Sequence, residues 1–216
     1  MARLLRGVNA SGMVAGAIAC FVLFAGAGPG AFATLVVLFL MTWGSTRIGR
    51  LRKQELGVAE QRDGRNGWQV SANLSVAAAC AALFGAGGNR AWLIALVSAL
   101  AEAATDTVAS EIGEWRSGTA VMITNLKTVP AGTDGGITLA GSLAGILGAA
   151  CVASVSILAQ LLVPRELWIP VSAGLIGMLF DSLLGATMQR HGWMSNEAVN
   201  FWATAVAVGV GWVFCR

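Results

Sequence analysis

Glu102 and Asp106 stand four residues apart in a run that is otherwise almost entirely small and apolar. On a helix that spacing stacks two carboxylates one turn apart on one face. In lipid each costs about 2.5–3.5 kcal/mol on insertion scales. The pair must therefore be protonated, matched to Lys or Arg, or holding a cation. Glu111 follows at the end of the same run, and Asp181 comes late in another apolar run. Carboxylates gathered at one end of a bundle suit Mg²⁺, which takes oxygen ligands and usually bridges to substrate phosphates. Snorkelling to water would serve equally well for Glu111 and Glu114. Asp106 and Asp181 lie further inside their runs, where function is the better reason for them.

Three more polar segments break the apolar pattern. Arg65, Gln69 and Asn73 lead into one apolar run, Asn196 and Asn200 open another, and Ser182 follows Asp181. Gly132-Thr133-Asp134-Gly135-Gly136 precedes a third run. Glycines let a backbone approach an anion, and amides at a helix start point toward phosphate; a plain glycine loop is the simpler account of the glycines alone. Lys127 just upstream offers a point charge to a phosphate, and Asp134 either caps the following helix or joins a metal site. His191 is the single histidine, and Cys20, Cys80, Cys151 and Cys215 sit in apolar runs without a CxxC spacing. They read as small buried hydrophobes, with neither a zinc site nor a disulfide framework. The sequence has no Walker loop, nucleophile elbow or His-Glu-x-x-His.

The elements that position these groups follow from composition. Of 216 residues, 56% are hydrophobic and 12% charged, against about 25% charged in soluble domains. Such a chain is an all-α polytopic membrane bundle. Apolar runs near the roughly 20 residues of a span occur at Ser11–Gly28, Ala31–Thr46, Gln69–Phe84, Ala91–Ile112, Ile137–Val163, Leu167–Met188 and Ala198–Phe214. About seven crossings result, in one integral membrane domain over 1–216, with a basic loop at 47–68 and a glycine-rich loop at 113–136. The run after Arg3 and Arg6 reads as a retained span, because another apolar run follows it at once. Eleven of the 14 Lys and Arg residues, including Arg47, Arg50, Arg52, Lys53, Arg62 and Arg65, fall on one side; Arg90, Arg165 and Arg216 fall on the other. The positive-inside rule then puts the N-terminus and every polar segment at the cytoplasmic face. Trp43, Trp68, Trp92, Trp115, Trp168 and Trp193 lie near span ends as interface anchors. The basic residues form no separate domain, so nucleic acid is not an expected partner.

Taken together, the motifs resemble the family of transmembrane protein 19 and the plant phytyl-phosphate kinases. The matching pieces are Arg65 with Gln69-Val70 and Ala72-Asn73; Asp106-Thr107 with Ser110-Glu111 and Gly113; Gly132 to Gly136 with Ser142 and Gly145; Asp181 to Ala186; and Asn196 with Val199-Asn200. They cover about residues 60–202 in the family's order, and the chain looks compact at its N-terminal end. The family is similar to membrane enzymes that use CTP, among them prenol kinases and CDP-lipid synthases. The resemblance implies phosphoryl transfer, with CTP and Mg²⁺, to a prenyl monophosphate. Asp106, Glu111, Asp134 and Asp181 would then hold metal, with Lys127 and Asp134 catalytic. Arg65, Gln69, Asn73, Thr107, Ser110, Gly132, Thr133, Gly135, Gly136, Ser182, Asn196 and Asn200 would contact nucleotide or lipid phosphate. A CDP-lipid-forming cytidylyltransferase and an ion-coupled transporter are the alternatives. The transporter fits less well, because the polar motifs crowd one side instead of the midplane.

Overall fold

A 38-residue helix would run straight for about 57 Å, yet α1 (Ala10–Arg47) does not. In the computed structural model, which describes residues 7–59, 64–116 and 118–215, it breaks at Gly28, where φ is 79°. Pro29 follows, a residue suited to start a new helix because its fixed φ and missing N–H cost nothing there. The chain folds back, so that Gly7 faces the rings of Phe39 and Trp43. Two antiparallel arms result, 10–27 and 29–47. Short α2 (Arg50–Glu55) comes next, then α3 (Gly67–Gly87), α4 (Ala91–Arg116), α5 (Leu139–Leu158), α6 (Trp168–Leu184) and α7 (Asn196–Phe214). Among the described residues, six helices are long and apolar enough to cross a membrane. With α1 counted as two arms they make the seven crossings expected. Arg3, Arg6, Arg62 and Arg216 lie outside the described residues.

The bundle is built around α4, which is buried along most of its length. Glycine makes that possible, since neighbouring helices can approach a backbone closely only where no side chain intervenes. A Cβ on Gly145 of α5 would stand 2.7 Å from Thr105 O, and one on Gly141 would run into Ala109 O. Gly174 and Gly177 do the same for α6 against Ala101 and Glu102, and Gly211 for α7 against Ser98. The Gly141–Gly145 spacing is thus an α5–α4 contact. At the far end of the bundle Trp92 stacks on Trp212 (4.3 Å between ring centroids) and Arg90 pairs with Glu166 at 2.7 Å.

Residues 113–136, expected as a loop, are more ordered than that. α4 continues to Arg116, and three short strands follow: β1 (Thr119–Met122), β2 (Thr128–Pro130) and β3 (Gly136–Ile137). They form an antiparallel sheet in the order β2-β1-β3, with Ala120 opposite Val129 and Val121 opposite Ile137. The fifth crossing therefore begins at Leu139, with Thr138 Oγ1 capping Gly141 N at 3.0 Å. Asp134 is not its cap. The sixth ends in a π-helical turn over Gly185–Gln189.

Candidate functional site

At the sheet end the helices enclose a cavity of about 300 Å³. Every residue that the resemblance assigns to the site lines it, with the exception of Lys127. Asp106 enters from α4 with Thr107, Ser110 and Glu111, and Asp181 enters from α6 with Ser182. The two aspartates are near enough to feel one another's charge, and Asp106 also feels Arg65. Asn200 of α7, its amide oriented by its neighbours, donates to Asp181 Oδ2 at 3.0 Å and accepts from Asn73 Nδ2 at 3.3 Å. One polar chain thus runs across α3, α7 and α6. Glu102 lies deeper, 1% exposed against Gly177, and is not part of the cavity wall.

Three of the helices that start at this end give their first turns to the cavity, each with an N-cap side chain. Asn66 caps α3, Thr138 caps α5 and Ser195 caps α7. Their first turns contribute Gln69, Gly141, Ser142 and Asn196 to the cavity, so three sets of helix-start amides and their positive dipole ends lie around one space. Gln69 also has a local duty, because its Oε1 accepts from Asn66 N at 2.8 Å and completes a capping box. The Asn66-x-x-Gln69 spacing carried that signal in the sequence. Arg65 is held at its backbone, where Asn9 N donates to Arg65 O (3.0 Å) and Arg65 N to Gly7 O (3.2 Å). Its guanidinium reaches Thr107 Oγ1 at 3.4 Å.

The glycine turn docks on the π-helical turn that ends the sixth crossing. Gly132 and Gly135 take φ of 77° and 79°, and a side chain on Gly135 would run into Ala186. Within the turn, Thr133 N donates to Pro130 O (3.3 Å) and Gly136 N to Thr133 O (2.8 Å). The amides of Gly132, Asp134 and Gly135 take no part in these internal bonds. Burial pushes the Asp134 carboxyl above the ordinary aspartate range, and the charge of Arg190 opposes part of that rise.

Lys127 sits in the turn between β1 and β2, exposed and away from the cavity. The buried cation is Lys53 instead, which pairs with Glu111 and donates to Thr46 O at 3.0 Å. Thr46 Oγ1 donates to the other Glu111 oxygen at 2.7 Å. Glu111 is thereby neutralised by protein. Nothing in a loop holding Arg47, Arg50 and Arg52 distinguished Lys53 beforehand. Among the described residues no three His, Cys, Asp or Glu side chains converge as a metal cluster. The donor chemistry still suits Mg²⁺, whose usual mode is one or two carboxylates completed by water and substrate phosphate.

A family model described as Integral membrane protein DUF92 matches residues 1–208. The chain belongs to that family. The kinship read from its motifs holds at that level. The chain is 33% identical to Protein VTE6, chloroplastic, of Arabidopsis thaliana over 91% of its own length and 62% of the relative's. It is 33% identical to Uncharacterized membrane protein sll0875 of Synechocystis sp. (82% of this chain, 72% of the relative). It is 32% identical to Protein PGR of Arabidopsis thaliana (88% and 75%). The chain thus spans a little under two thirds of VTE6. No solved structure matches it.

Proposed function

We propose that the protein transfers the γ-phosphoryl group of CTP to a prenyl monophosphate, giving CDP and a prenyl diphosphate. The observation that carries this reading is the meeting, in one cavity, of two carboxylates from α4 and α6, Arg65, the glycine turn and three helix starts. Cation-holding and anion-holding groups then share one space, as a phosphate-transfer site requires, since such catalysis is mostly positioning and charge neutralisation. The resemblance of the motifs to membrane enzymes that use CTP supports the choice of CTP and of a prenyl acceptor.

In this reading Asp106 and Asp181 hold Mg²⁺, with Asp134 near the phosphates. Such an ion would supply positive charge against the phosphates. Asn73 and Asn200 orient the Asp181 carboxylate. Arg65 takes the role that the sequence suggested for Lys127, binding the acceptor phosphate. The amides of Gly132, Asp134 and Gly135 and the starts of α5 and α7 orient the triphosphate. Glu111 anchors α4 to Lys53 and is left out of the metal shell. An oxygen of the acceptor phosphate attacks the γ-phosphorus, the bond from that phosphorus to the β-phosphate oxygen breaks, and CDP leaves with the electron pair. The acceptor is already an anion and needs no general base. The polar end faces the cytoplasm, consistent with Arg47, Arg50, Arg52 and Lys53 at that end and Arg90 and Arg165 at the other.

A screen of purified protein with CTP, ATP, GTP and UTP against prenyl monophosphates tests the reading, with products identified by mass. A prenyl diphosphate formed with CTP supports it. A CDP-lipid would mean attack at the α-phosphorus and a cytidylyltransferase. No lipid product with any nucleotide would overturn both.

A further inference from the structure

Next to the polar cavity lies a second, apolar one of about 460 Å³, between the two arms of α1. The walls are Gly12, Gly16 and Cys20 on the first arm and Phe32, Val36 and Phe39 on the second. Its floor is Val70 and Leu74 of α3 with Ala103 of α4. The two cavities share Arg65, Gln69 and Asn73. The end of the cleft that meets them also carries Arg47 and Arg50. An apolar slot that opens on arginines and runs into a phosphate-type site matches a molecule with one anionic head and one hydrocarbon chain.

Resting on the proposed function, we propose that this cleft takes the tail of the acceptor lipid and that the Phe24–Phe32 pair limits its length. The rings of Phe24 and Phe32 stand edge to face with centroids 6.3 Å apart, beside the far end of the cleft. From Thr46 at the polar end to Phe32 is 14 residues of helix, or about 21 Å. Carbon–carbon bonds of about 1.5 Å advance a zigzag chain roughly 1.25 Å each, so that span holds about 16 main-chain carbons, or about four isoprene units. The arms part because their other faces are engaged. A Cβ on Gly12 would run into Arg65 O, and one on Gly85 of α3 would stand 3.0 Å from Gly26; on the second arm Thr34 meets Ser156 of α5 at 3.4 Å. Gly16 is different. A Cβ there would touch only Val70, at 4.0 Å, so the first atom of a larger side chain at 16 displaces no protein. Met13, Phe32 and Val36 are exposed along the rim, so a tail can enter sideways from lipid.

Two measurements test the tail site. The first needs no turnover: purified protein in nanodiscs is photolabelled with a C16 alkyl monophosphate carrying a diazirine at its tail end. Label is expected in the peptides around Cys20 and Phe32, competed by prenyl monophosphate and not by the prenyl alcohol or by a two-chain phosphatidic acid. Label spread over the outer faces of α5 to α7, or competed only by phosphatidic acid, would overturn the proposal. The second compares kcat/KM over acceptors of one to five isoprene units. Gly16→Leu should lower it about tenfold for four units while leaving two units within about twofold. Phe32→Ala should raise five units relative to four by about fivefold. A uniform change across all lengths would remove the length limit. If the photolabel maps to the cleft while no acceptor is phosphorylated, the transfer reading fails and the tail site stands.

Discussion

Replacing Lys53 by Met removes one charge from a place with almost no solvent. Lys53 is 1% exposed and its ammonium has three acceptors: the Glu111 carboxylate, Thr46 O at 3.0 Å and Ser45 O at 3.4 Å. Those partners use all three of its N–H donors. Met fills most of the stem's volume but leaves Glu111, whose side chain is 11% exposed, charged and held only by Thr46. Breaking a buried pair from one side costs about 3–5 kcal/mol. For a chain of this size each kcal/mol moves the midpoint about 2–4 °C, so the Tm should fall by roughly 6–20 °C. Removing both charges, Lys53→Met with Glu111→Gln, should recover most of the loss, because a neutral replacement for a buried pair is often nearly neutral in stability. A thiol-reactive dye reporting exposure of buried Cys80, in a Cys20→Ala, Cys151→Ser, Cys215→Ser background, follows the unfolding in detergent. A single variant within about 1 kcal/mol of the parent, or a double variant as unstable as the single, would show that Glu111 does not depend on Lys53.

Asp106→Asn and Asp181→Asn should each lower transfer at least about 10²-fold with the Tm within a few degrees of the parent; lipid phosphorylation that survives both would remove the proposed metal site. Gly135→Ala meets both a positive φ and Ala186 and should cost more than Gly88→Ala, where φ is 66° and nothing lies within 4 Å. The second should cost about 1–2 kcal/mol, and equal Tm losses would refute the docking of the glycine turn. Asp134 binds its proton more tightly folded than unfolded, so its contribution to stability grows as pH falls from above its raised pKa toward the unfolded value near 3.9. Asp134→Asn should remove that gain; unfolding curves at pH 7 and 4.5 that change identically in both proteins would contradict it.

The crossings were legible because lipid admits only long apolar helices, each of which leaves a run in the sequence. Even the fold-back at Gly28–Pro29 was visible as a gap between two runs. The sheet was not, since strands of two to four residues leave too little alternation to read. The polar residues of the site were legible because each interrupts an apolar run, and the bundle gathers them at one end. Lys127 drew notice by its closeness in sequence to the glycine turn, but the β1–β2 hairpin carries it away. Lys53 and Glu111 show the converse. Their pairing joins residues 58 positions apart, and only the docking of α2 beneath α4 reveals it. The cleft between the arms was equally hidden, because the apolar faces that line it look like any lipid-facing surface.

The account turns on which phosphorus is attacked. Purified protein given a prenyl monophosphate with CTP labelled at the γ-phosphorus, and in parallel with CTP labelled at the α-phosphorus, answers that directly. Attack at the γ-phosphorus puts γ-label in the lipid diphosphate and leaves α-label in water-soluble CDP. Alpha-label in the lipid, or no label in it from either nucleotide, would contradict it.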